Sequence, residues 1–119
     1  MPDQPAQPET HPEDAKLLIL ARSSRARTRA VEGACVRDLD GRTYAGASVD
    51  LPSLQLSAVA VAVAMASASA AAGLEAVAVV TDGDSVDEGD LAVVRDFAGA
   101  GVPVLRADGR GQLQETLTS

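Results

Sequence analysis

Cys35 is the only thiol and His11 the only imidazole in this chain of 119 residues. These are the side-chain types that bind zinc tightly, and both can serve in nucleophilic catalysis. They fall in different segments with no ligand spacing between them, so together they make no metal centre. Cys35 sits among strand formers and reads as a small buried residue. His11 reads as solvated. No Ser-His-Asp arrangement follows from a single histidine so close to the start, and no nucleophile-elbow sequence is present.

The harder donors cluster in one stretch, Asp82 to Asp90, which holds Asp82, Asp84, Asp87, Glu88 and Asp90. It lacks the twelve-residue ligand spacing and the terminal glutamate of a calcium loop. It therefore reads as a solvated loop that caps a helix. Gly99-Ala100-Gly101 ends a helical pattern, whereas a phosphate loop should open one. Arg22, Arg25, Arg27 and Arg29 form a basic run in a chain whose net charge is −7. That run reads first as a solvated helix face. The alternative is a docking site for a protein partner or an anionic ligand.

The elements that must carry these groups follow from pattern and punctuation. Residues 1–11 are polar, hold three of the six prolines and read as a disordered tail. Residues 12–119 read as one domain, a normal size for a single core. Pro12 suits a first helical position, with Thr10 or His11 as a weak cap, and apolar spacing predicts a helix to about Ala26. Strand formers over Gly33–Arg37 and Arg42–Val49 flank Asp40-Gly41, a hairpin signal. Leu51 to Ser53 breaks the strand. Leu54 to Leu74 reads as a buried helix closed by Gly73, with a strand as the runner-up and a membrane span disfavoured by Gln55 and three serines. Glu75–Thr81 reads as a strand buried on both faces, Leu91–Ala98 as a helix and Val102–Arg106 as a short strand. A turn at Asp108-Gly109 then leads to a last strand or short helix. The order α-β-β-α-β-α-β points to a layered α/β sheet.

Composition narrows the partners. One Tyr, one Phe and no Trp leave no aromatic platforms for stacked bases, and the negative charge repels phosphate backbones. Nucleic acid and membrane are not expected partners. Nine Arg to one Lys, with abundant Ala, Val and Gly, suggests a GC-rich bacterial genome. A Pro- and Gln-rich start is unlike a secretory leader, and a lone cysteine makes no disulfide framework, so the cytoplasm is the expected compartment.

The order of elements and several local words resemble the cytidine deaminase family. Gly33-Ala34 opens the first strand, Asp40-Gly41 is the turn, and Ser48-Val49-Asp50 stands where the family has Asn-Val-Glu. Leu56 to Val61 opens the second helix, and Asp87-Glu88-Gly89-Asp90 precedes the third. The resemblance spans residues 13–117. It implies an α/β fold with a mixed β-sheet of about five strands and helices packed on its faces.

The family's chemistry needs zinc, which activates a water, and a glutamate that moves protons. Carried across by position, the zinc ligands fall on Val59, Asp87 and Asp90, and the glutamate on Val61. Val59 and Val61 can do neither job, and two carboxylates are too few and too hard for zinc. The ribose contacts fall on Ser48 and Asp50, which have shorter reach; Asp50 also reads simply as a cap before Pro52. The expectation is a pseudoenzyme without a cofactor, acting by binding or assembly. Members of this short form imply a homo-oligomer, dimer or tetramer, with the Ala-rich helix at its centre. Two alternatives stay open: a working nucleoside deaminase with an atypical site, and a regulatory module that docks through Arg22 to Arg29.

Overall fold

The computed structural model describes residues 11–119. Of the tail expected over residues 1–11, residues 1–10 lie outside them. His11 takes the cap role the sequence offered it: its Nδ1 accepts the Glu13 amide at 3.3 Å and caps helix α1, Pro12–Thr28. Pro12 needs no amide partner there, and Glu13 and Asp14 face the positive end of the helix.

Strands β1 (Glu32–Asp38) and β2 (Thr43–Ala47) form the expected hairpin, with Gly41 at φ +84° in its turn. Buried Asp38 organises that turn. Its Oδ1 accepts the amides of Asp40 and Arg42, both at 2.9 Å, and its Oδ2 accepts the Tyr44 hydroxyl at 2.9 Å.

The next stretch corrects the sequence reading. The strand expected to run to Val49 ends at Ala47. Val49–Leu51 instead forms β3, which pairs antiparallel with β4, Leu54–Leu56, around Pro52-Ser53. Asp50 therefore lies exposed in β3 opposite Gln55, and is not a helix cap. The helix expected from Leu54 begins at Ala58, because Ser57 Oγ accepts the Ala60 amide at 3.0 Å and caps it. This helix, α2, covers Ala58–Ala68 and stops well before Gly73. Ala70 takes the left-handed conformation, φ +61°. Its amide reaches Ser67 O, and the Ala71 amide reaches Ala66 O, which is the Schellman pattern with alanine where glycine is usual. Arg29 plays the same part at the end of α1, φ 54°.

Strand β5 (Leu74–Thr81) is buried at every residue but Glu75, as its compact apolar run requires. Helix α3 spans Glu88–Ala98 and starts three residues before the expected Leu91, so part of the acidic stretch is helical. Strands β6 (Pro103–Ala107) and β7 (Leu113–Thr118) follow, settling the last element as a strand.

The sheet is mixed, in the order β2-β1-β5-β6-β7, with only β5 and β6 parallel. Helix α1 covers one face, where Leu17, Leu18 and Ala21 pack with Cys35, Ala78 and Val80. Helices α2 and α3 cover the other, where Val59, Ala62, Val63 and Val94 pack with Val36, Val77 and Val79. Small side chains let the layers approach closely. A Cβ on Gly33 would strike the Ala21 carbonyl of α1, and one on Gly46 would lie 2.6 Å from Val61 Cγ1 on α2. No helix among the described residues is long and apolar enough to cross a membrane.

Candidate functional site

The N-termini of α2 and α3 converge. Ser57, which caps α2, also donates its hydroxyl to Asp90 Oδ1 at 2.6 Å. Asp90 lies in the first turn of α3, three residues after Asp87 at the cap position. One hydroxyl thus closes an end of α2 and ties it to α3. Partial burial raises the Asp90 pKa above the ordinary carboxylate value. The Ser57 bond opposes that shift, and the nearby Asp87 charge adds to it.

Each position to which the family resemblance assigned chemistry can be located. Val59 is 1% exposed and belongs to the core between the sheet and α2. Val61 is half-buried, with its side chain over the backbone of Gly46 in β2. Asp87 is exposed and makes no side-chain cap bond. Ser48 follows β2, and its hydroxyl accepts the Glu32 amide at 3.2 Å. Ser57 was not singled out from sequence. A capping residue directly before an apolar run was the signal that could have marked it.

The donor set does not fit zinc. Val59 offers only hydrocarbon at a buried position, and an Asp90 oxygen is engaged by Ser57. Cys35 faces the opposite side of the sheet, in the α1 core, where burial pushes its thiol pKa up to about 11. His11 caps α1, which packs on that same opposite side. Among the described residues, no group of three or more His, Cys, Asp or Glu side chains is arranged to hold a metal ion.

The basic run divides in two. Arg22, Arg25 and Arg29 line an open groove beside Gly109, while Arg27 is exposed elsewhere on α1. Arg25 is held by Asp82, whose carboxylate accepts its Nη2 at 2.6 Å, and by the Ala30 carbonyl at 3.3 Å.

Comparison with solved structures finds the same architecture in cytidine deaminases. The enzyme from Burkholderia pseudomallei aligns with a TM-score of 0.78 at 20% identity, over 92% of this chain and 93% of that one. The Mycobacterium leprae enzyme aligns at 0.66 and 20% identity, covering 83% and 89%. The Mycobacterium tuberculosis enzyme aligns at 0.64 and 22% identity, covering 77% and 81%. At such identities the likeness is one of fold. No curated protein sequence matches the chain. The profile described as cytidine deaminase-like matches residues 10–111. A mixed five-stranded sheet, helices on both faces and that profile match lead to one assignment: the chain belongs to the cytidine deaminase-like family.

Proposed function

We propose that this protein keeps the deaminase fold without deaminase chemistry and works by binding or assembly. The observation that carries the reading is the packing at the junction of α2 and α3. Val59 is sealed into the core, Val61 lies on Gly46, and Asp90 is bonded to Ser57. Metal-assisted hydrolysis needs a cation with an open coordination position and a group that moves protons. Hydrocarbon occupies the positions where the family resemblance would put one ligand and that proton carrier. Elemental analysis of the purified protein, run with a cytidine deamination assay, tests the reading. The expected result is no zinc in stoichiometric amount and no turnover. Stoichiometric zinc with turnover would overturn it in favour of an atypical working site.

The assembly half of the proposal rests on α2. Its sequence, AVAVAVAMASA, has no charged residue, yet Ala64, Met65 and Ala68 remain exposed. A helix whose only polar residue is Ser67 is at home in an interior. Leu51 and Leu54 of the neighbouring β3–β4 hairpin are exposed as well. We propose that a second copy covers this face, giving a dimer or tetramer. Light scattering is expected to return a mass above one chain at micromolar concentration, and a clean monomer would remove the idea.

A further inference from the structure

We propose that the groove between α1 and the β6–β7 turn binds a small organic phosphate monoester. This inference is independent of the assembly reading, because α1 lies on the opposite face of the sheet from α2. Arg22 and Arg25 share one face of α1 and, with Arg29 just past its end, line an open depression of about 360 Å³. Arg25 is neutralised by Asp82. Among the described residues, Arg22, Arg29 and Arg110 pair with no carboxylate.

From the β6–β7 turn, Gly109 lines this groove and Gly111 lines the depression next to it. Asp108 Oδ1 accepts the amides of Arg110 and Gln112 and folds the turn, with Gly111 at φ +83°. A Cβ on Gly109 would lie 3.0 Å from Asp82 Oδ1 and 3.1 Å from Arg25 Nη1, and one on Gly111 would lie 3.3 Å from Arg22 Cδ. The missing side chains leave room beside the Arg25–Asp82 pair and against the stem of Arg22. Basic residues near a helix C-terminus also gain from the helix dipole. That gain accounts for Arg25 and Arg27 in the last turn, but not for Arg22 further back or for Arg110 on another element.

Arg22 is shared with a second depression of about 180 Å³, which Arg110 also lines, and whose floor is Ala15, Leu18 and Ile19. Ile19 is 65% exposed. The two depressions place a cationic end beside an apolar end. Guanidinium groups take phosphate oxygens through paired, charge-assisted hydrogen bonds. An attached apolar body would then cover Ile19. A free phosphate ion uses only the first half of this surface, and a monoester uses both.

Titration of the ¹⁵N-labelled chain with phenyl phosphate and with inorganic phosphate, at matched ionic strength, tests the proposal. Saturable amide shifts are expected over residues 15–30 and 108–111, with phenyl phosphate the tighter ligand. Replacing Arg22→Gln together with Arg29→Gly should weaken both ligands roughly tenfold, the effect of losing charge-assisted bonds. The Arg29→Gly change also relieves a left-handed residue, so the double variant should fold. Arg27→Gln should leave binding within about twofold, since it removes the same charge outside the groove. Ile19→Ser should cancel the advantage of phenyl phosphate and spare inorganic phosphate. Shifts that do not saturate, equal loss in Arg27→Gln, or equal affinity for the two ligands would overturn the proposal.

Discussion

Ser57 Oγ lies 2.6 Å from Asp90 Oδ1, so one hydroxyl joins the first turns of two helices that are 33 residues apart at this contact. The same oxygen accepts the Ala60 amide. Ser57→Ala removes the cap and leaves a half-buried carboxylate without its donor. It should cost about 1–2 kcal/mol in urea unfolding. A cost near zero would mean that water replaces the hydroxyl freely.

Two carboxylates give the stability opposite responses to pH. Burial alone would raise the Asp38 pKa. The Arg42 amide, the Tyr44 hydroxyl and the Asp40 amide together outweigh it, and the pKa is lowered in the fold. Its contribution is present above the ordinary aspartate value and is lost as pH falls through the lowered one. The Asp90 pKa is raised, chiefly by burial, so its contribution is present at low pH and is lost as pH rises through the raised value. Unfolding free energies measured across the acid range should therefore fall less steeply in Asp38→Asn than in the native chain. They should fall more steeply in Asp90→Asn.

The contact between Gly46 and Val61 predicts a double-mutant result. Gly46→Ala places a methyl group 2.6 Å from Val61 Cγ1 and should cost about 1–3 kcal/mol. Val61→Ala in the same chain removes the nearest obstacle and leaves Val61 Cβ at 3.1 Å and Ala62 N at 3.3 Å, so the two losses should fall short of adding. Additive losses in denaturant titrations would show that α2 shifts instead. Gly33→Ala has no such rescue, because its obstacle is the Ala21 carbonyl on the backbone of α1.

At the end of α2, Ala70 holds φ +61° in a position where glycine carries no steric penalty. Ala70→Gly should raise stability by about 1 kcal/mol and the melting temperature with it. An unchanged or lowered melting temperature would mean that the loss of entropy in the unfolded chain outweighs the relief.

Cys35 should be inert in the folded protein. It has no exposed surface, and burial pushes its pKa up to about 11, so thiolate is scarce near neutrality. A thiol reagent should label it at the rate of unfolding and immediately in guanidinium. Fast labelling of the native chain would contradict the buried placement.

Much of this fold is legible residue by residue. Asp40-Gly41 marks the first hairpin because the turn needs positive φ, and Gly41 supplies it. Glu75 to Thr81 announces a central strand because only such a strand is apolar on both faces. The β3–β4 hairpin is hidden. Leu54 and Leu56 continue smoothly into the apolar run of α2, and only Ser57 separates the two. The end of α2 is hidden for the converse reason: Ala70 adopts the left-handed conformation, whereas Gly73 draws the eye. At the candidate site, the family resemblance assigns the ligand positions to Val59, Asp87 and Asp90. Sequence cannot show that Asp90 is engaged by Ser57, since pairing across 33 residues has no local pattern.

Strand β5 has one further consequence, for synthesis on the ribosome. It is the second partner of β1 and lies between the two faces of the core, yet it follows β1 by more than a whole helix. While residues 48–73 are being made, the β1–β2 hairpin carries buried-type residues such as Cys35 and Val36 with one edge unpaired. An unpaired apolar edge is a template for joining another chain. A chain cut short before Leu74 should therefore yield an aggregating fragment in place of a smaller domain. The emerging protein depends on β5 arriving before another nascent chain does.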